Sequence, residues 1–161
     1  MGDMKDPAHA IDRRAIPWWM LQASALMVPV LLVIAAVGWF FEDARPYLPV
    51  AFTAAGVVWA VGLFMEPFWR FRVHRWETTE TAVYARTGWL VREWRAAPLS
   101  RIQTVDATQG PLEQLMGLST LKVTTASSSG AIEISGLAKA TADRVAHELT
   151  EIAELTPGDA T

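Results

Sequence analysis

Three histidines, His9, His74 and His147, are the only imidazoles in this chain of 161 residues, and cysteine is absent. A thiolate nucleophile, a disulfide framework and a cysteine-based zinc or iron site are therefore excluded. No histidine stands at a metal-ligand spacing such as H-E-x-x-H, and His147-Glu148 is an isolated pair that reads as solvent-facing. Ser100, Ser119, Ser127, Ser128 and Ser129 lack the G-x-S-x-G setting of a hydrolase nucleophile. Neither a P-loop nor a G-x-G-x-x-G pattern is present, so nucleotide binding has no support. Asp106 and Glu113 are the one carboxylate pair worth weighing as an acid/base couple. Their place around Gln109-Gly110 reads instead as turn capping and solvation. Arg101 has two readings: an anion or partner contact on a membrane-facing rim, or a structural arginine bonding carbonyls or Asp106. No catalytic set, cofactor or metal is expected.

A second cationic group, Arg70, Arg72, His74 and Arg75, lies just beyond a long apolar stretch and is interleaved with aromatics. Such charges set topology, and near an anionic leaflet each Lys or Arg also contributes about 1 kcal/mol of headgroup attraction. Arg70, Arg72, Arg75 and Arg101 are thus the candidate membrane or anion contacts. The net charge of −3 argues against a general nucleic-acid binder.

The elements that position these residues start with two runs free of Asp, Glu, Lys and Arg: Trp18–Phe41 and Leu48–Met65. Crossing a bilayer takes about 20 apolar residues in a helix, so the first run suffices and the second barely does. Backbone exposed to lipid must satisfy its own hydrogen bonds, which makes both runs helical. Pro29 lies mid-run and predicts a kink. Gly56 and Ala60 form a small-xxx-small pair, read first as packing of the hairpin's own helices and second as a dimer contact. Trp18, Trp19, Trp39 and Trp69 stand at run ends, where indoles favour the interface. Lys5, Arg13 and Arg14 before the hairpin and Arg70, Arg72 and Arg75 after it outweigh Arg45 in the turn. Both termini are therefore expected in the cytoplasm.

Residues 1–17 read as a disordered or loosely bound tail. From Phe68 to His74 aromatic and cationic residues alternate, which predicts a strand. Ala82–Thr87 and Trp89–Arg95 read as strands about a turn at Gly88, and Arg101–Thr108 as another. Pro111 and Gly117 bracket one or two helical turns. Leu121–Ala126 and Ala131–Ser135 read as a hairpin joined by Ser127-Ser128-Ser129-Gly130. Ala142, Val145, Leu149 and Ile152 form the apolar stripe of a helix over roughly Lys139–Leu155, with Ala138 and Thr141 both possible starts. Six short strands cannot bury both faces alone, so the sheet should curl and the helix should plug its open end.

The segment Ser100-Arg101-Ile102-Gln103-x-Val105, followed by Gly110-Pro111-Leu112 and Gly117-Leu118, resembles the signature of the bacterial pleckstrin-homology-like (PH) membrane proteins of the YdbS-like kind. The resemblance extends to the preceding hairpin, to Gly88 and to Ile134-Ser135-Gly136-Leu137, and so spans most of residues 18–155. It implies a membrane-anchored α+β chain: a two-helix transmembrane hairpin, then a PH-like antiparallel split β-barrel capped by a C-terminal amphipathic α-helix. The motif residues are implied to be structural, and catalysis is not usual in the family. Eukaryotic PH domains that bind phosphoinositides resemble one another in a basic first hairpin; here the corresponding turn, Thr78-Thr79-Glu80, is acidic.

The expected organisation is a tail over 1–17, the hairpin over 18–65, a PH-like domain over 66–156 and a short end at 157–161. The expected function is a non-catalytic module at the cytoplasmic face of a bacterial inner membrane. It would bind or scaffold another membrane protein, or a second copy of itself. The alternative is a sensor of anionic phospholipid headgroups through the juxtamembrane arginines. Nucleic acid and small-molecule substrates are not expected partners.

Overall fold

The computed structural model describes residues 6–126 and 130–155. The turn serines Ser127, Ser128 and Ser129 and the end at 157–161 lie outside the described residues. The chain divides into two units, one holding Ile16–Trp69 and the other joining residues up to Ala15 with Arg70 onward.

The first unit is a helical hairpin. Helix α1 spans Ala15–Phe40 and runs on through Pro29, and a 3-10 turn over Glu42–Tyr47 leads into α2, Leu48–Ala60. A π-helical turn, Val61–Met65, joins α2 to α3, Glu66–Val73. Two helices, Ala15–Phe40 and Glu42–Val73, are long and apolar enough to cross a membrane. The wide turn precedes Pro67, whose missing N–H removes one i−4 hydrogen bond, whereas α1 carries Pro29 without such a turn.

Helix α3 corrects the strand expected over Phe68–His74. Alternation over seven residues also fits a helical period: Pro67 and His74 are buried and Arg70 and Phe71 half-buried, at i, i+7, i+3 and i+4. Extending a formed helix costs no new nucleation, and Glu66 at its start with Arg70 and Arg72 in its last turn suits the helix dipole.

Among the described residues the second unit holds seven strands in two antiparallel sheets. One contains, in order, β1 (His9–Ala10), β2 (Arg75–Thr78), β3 (Ala82–Gly88) and β4 (Arg92–Pro98). A 3-10 turn, Leu99–Arg101, leads to the other: β5 (Ile102–Thr108), β6 (Leu118–Thr125) and β7 (Ile132–Ala138). Between β5 and β6 lies α4, Pro111–Met116, and α5, Lys139–Leu155, closes the chain. The sheets approach where β7 meets β3 and β4, and α5 lies over β5, β6 and β7. Val83, Leu118, Leu121, Val123 and Leu137 fill the core, with Ala142, Val145 and Leu149 from the expected stripe of α5. Two tight chain paths need glycine. Gly88 has φ 104° and Gly136 φ 77°, and a Cβ at Gly136 would stand 2.8 Å from that of Ala15.

Two further boundaries differ from the sequence reading. Trp89-Leu90-Val91 is a loop, because Gly88 pairs with Arg92 and starts the turn instead of centring it. The segment before α1 is part of the β unit and not a loose tail, for reasons that its contacts supply.

Candidate functional site

From Asp6 onward the N-terminal segment is fastened to the β unit. His9 and Ala10 pair with Trp76 and Arg75, and the His9 ring lies 5.3 Å from that of Trp76. Pro7 and Ile11 are buried. The Asp6 carboxylate accepts hydrogen bonds from Trp94 Nε1 at 3.3 Å and Arg86 Nη1 at 2.6 Å, and together these hold its pKa below the usual carboxylate range. Arg86 Nε donates to the Val73 carbonyl at 2.9 Å, so one guanidinium ties segment, sheet and helix end. The Asp12 N–H donates to Gly136 O at 2.9 Å. Hydrogen bonding from Arg14 holds the Asp12 carboxyl low, and Arg14 Nη1 reaches the Met116 carbonyl at 3.1 Å. The buried Ile11 was the signal available in the sequence, but a two-residue strand has no period to read.

The motif residues Gly110 to Leu118 build the corner against which Arg14 docks. Gly110 is the N-cap of α4, Pro111 opens it, and Gly117 ends it in the left-handed region at φ 65°. Glu113 is buried: its Oε2 accepts the Gly110 N–H at 2.7 Å and its Oε1 the Thr120 hydroxyl at 2.7 Å. Gln109 Nε2 donates to the Leu118 carbonyl, and the buried Ser119 hydroxyl to Thr108 O at 3.0 Å. Asp106 is exposed and accepts from Thr104 at 3.3 Å. The two carboxylates thus have separate backbone and hydroxyl partners, and Glu113 has the capping role read from sequence. Leu118 is fully buried, Leu112, Ile102 and Val105 half-buried, and Ser100 and Gln103 exposed. Gln103 sits in a bulge, where the β5–β6 register shifts between Ile102 and Thr104.

The four candidate anion contacts separate. Arg75 Nη1 points at the Phe71 and His74 carbonyls, 3.5 and 3.4 Å away, and so covers the end of α3. His74 is buried beside it with Nδ1 2.8 Å from the Arg70 carbonyl, and desolvation lowers its pKa to about 4. Its neutral ring donates from Nδ1. Arg70 is half-buried and engaged. Arg72 and Arg101 are exposed, and among the described residues neither guanidinium has a hydrogen bond or ion pair. The structural reading of Arg101, on carbonyls or Asp106, is not what the geometry shows.

Arg101 lies on a cavity of about 350 Å³ with Trp94, Arg95, Pro98, Thr125 and Ile132; Arg70, Arg72 and Arg75 do not line it. Arg95, which sequence reasoning did not single out, holds Glu93 at 3.0 Å and the Ala131 carbonyl at 2.9 Å. The cavity borders β4, the last strand of its sheet. Arg92 through Ala96 are all exposed there, and among the described residues no strand pairs with the outer edge. Free strand edges carry unpaired N–H and C=O groups that can accept another chain. Among the described residues no cluster of His, Asp or Glu could hold a metal.

In the hairpin, Trp59 Nε1 donates to Ser24 Oγ at 3.3 Å, and Ser24 donates to Met20 O at 2.9 Å. Close approach falls at Gly62, where a Cβ would lie 3.2 Å from that of Ala23, and at Gly38 against Leu48. A Cβ at Gly56 would meet nothing within 4 Å, and Ala60 is exposed. That pair does not make the hairpin's own contact, because its face of α2 turns away from α1. Pro29 is likewise exposed.

The chain is 28% identical to the UPF0699 transmembrane protein YdbS of Bacillus subtilis (strain 168), over 96% of its own length and 98% of that protein's. No solved structure matches it. The bacterial PH domain family model matches residues 12–153, a span that includes the hairpin as well as β2 to β7, and the chain belongs to that family.

Proposed function

We propose that this chain is a non-catalytic PH-like module, held at the cytoplasmic face of a bacterial inner membrane, that binds another membrane protein along β4. The observation that carries the proposal is an edge strand exposed from Arg92 to Ala96, beside a cavity of about 350 Å³. An added strand would gain main-chain hydrogen bonds there, and the cavity would receive a side chain. Orientation rests on the arginines flanking the hairpin against the lone Arg45 of its turn. Pairing of His9–Ala10 with Arg75–Trp76 agrees with both flanks lying on the same side, since two spans return the chain to the side it left.

A photo-crosslinking residue at Ala96 of the full-length chain, in native membranes, tests this against the same residue at Lys122 on β6. A discrete adduct with one membrane protein at residue 96 alone is expected, and Trp94→Lys should abolish it. Equal labelling at both positions, or none at 96, rejects the reading.

A second reading has its own support. Arg72 and Arg101 are unengaged cations among the described residues, which suits phospholipid headgroups. Salt-insensitive behaviour of the full chain between neutral and anionic nanodiscs would remove it.

A further inference from the structure

The loop Trp89-Leu90-Val91 has no role in folding that its surroundings explain. Leu90 is 77% and Val91 73% exposed, and in the β unit only Leu115 is comparably bare among the described large apolar side chains. Tight hairpin loops ordinarily use Gly, Asn, Asp, Pro or Ser. The path into this loop needs glycine: Gly88 has φ 104°, and a Cβ there would lie 1.8 Å from the Val91 carbonyl oxygen. Leu90 and Val91 are thus presented in the open, while Trp89 beside them is half-buried.

We infer that the β3–β4 tip dips into the bilayer surface as a second membrane contact. This goes beyond the binding edge of β4 and does not depend on it. Connectivity ties the tip to a membrane, since the β unit joins the hairpin directly at Ala15-Ile16 and Trp69-Arg70. Composition matches an interface: an indole, two aliphatic side chains, then Arg92. Charge agrees through Arg92, which is exposed directly after the tip, while Arg86 on the other strand is already held by Asp6 and the Val73 carbonyl. Size decides between lipid and protein. Taken apart from β4, Leu90, Val91 and the open part of Trp89 fall far short of the roughly 1,000 Å² that a specific protein interface buries, yet suffice for shallow insertion at the headgroup–acyl boundary.

Because the chain has no cysteine, single substitutions Leu90→Cys, Val91→Cys and, as an exposed control, Lys122→Cys can each carry an environment-sensitive fluorophore. The full chain is placed one per nanodisc, in phosphatidylcholine with phosphatidylglycerol and nitroxide-bearing lipid. Blue-shifted emission is expected at residues 90 and 91, with quenching on the order of threefold or more above that at 122, as for side chains at the acyl boundary. Leu90→Asp should return the label at 91 to the control value while leaving thermal unfolding unchanged. Water-like emission at the tip overturns the inference. So does a blue shift without nitroxide quenching, which would mean that protein covers the loop.

Discussion

The side of the β unit fastened by the N-terminal segment and the side bounded by β4 differ in what their polar and apolar groups do. On the first, Asp6, Asp12, Arg14, Arg86, Gln109 and Glu113 each meet a named partner, and Ile11 and Leu118 are buried. On the second, the Arg101 guanidinium has no partner among the described residues, Leu90 and Val91 face outward, and five consecutive residues of β4 are exposed. Of these five, Trp94 reaches Asp6 and Arg95 is held by Glu93 and the Ala131 carbonyl. A fold that places this much surface in the open at one side, while satisfying groups so fully at the other, separates stability from contact with other molecules. Substitutions should therefore divide into those that unfold and those that leave unfolding untouched.

The largest effect belongs to the fastened side. Leu118 is fully buried between the motif corner and the core, so Leu118→Ala should lose about 2–5 kcal/mol through lost burial and a residual cavity. Denaturant unfolding of the full chain in nanodiscs measures it, and a loss no larger than that of a surface substitution would break the comparison. Glu113→Ala comes next. It leaves the Gly110 N–H and the Thr120 hydroxyl without their acceptor in a buried place, and about 3 kcal/mol should go. Glu113→Gln keeps an acceptor for one of the two and should lose less.

A pH effect of intermediate size follows from His74. Its folded pKa of about 4 lies below the 6.5 of the free side chain. The unfolded chain therefore binds the proton first as pH falls, and stability declines from about pH 6.5 down to about 4, then levels. By pH 5 the loss should be about 2 kcal/mol, and His74→Asn should flatten that part of the profile. Asp6 acts lower on the scale and more weakly. Its folded pKa is depressed, so its contribution is present above the unfolded value and disappears as pH falls through the folded one. Asp6→Asn should remove that last acid-dependent step, with a small change in melting temperature at neutral pH.

The reach of the sequence follows the same division. Helix α5 was legible because Ala142, Val145 and Leu149 repeat at helical spacing, and α4 because Pro111 and Gly117 are residues that those two positions favour. The period-two pattern over Phe68–His74 misled, since seven residues sample too few turns to separate a strand from the end of a helix. Segment pairing between His9 and Trp76 was out of reach, as it depends on contacts far apart in the chain. At the candidate site the arginines could be named but not sorted. Whether a guanidinium covers a helix end, as Arg75 does, or stands unengaged, as Arg101 does, depends on neighbours that local spacing cannot supply. Trp89-Leu90-Val91 misled by composition, since apolar residues after a glycine read as strand when a turn holds them out.

The smallest stability effect is the sharpest test of the division. Leu90→Ser and Val91→Ser together remove two aliphatic side chains, and in a core such a change would cost several kcal/mol. Here both side chains lie mostly in the open and Gly88 alone fixes the turn, so nothing packed is lost. Unfolding of the full chain should shift by no more than about 0.5 kcal/mol, the range of ordinary surface substitutions. A loss comparable to that of Leu118→Ala, with labels at 90 and 91 that report no lipid contact, would mean that the tip is buried against another part of the chain. The open side would then be part of the folded core, and the distinction from the fastened side would fall.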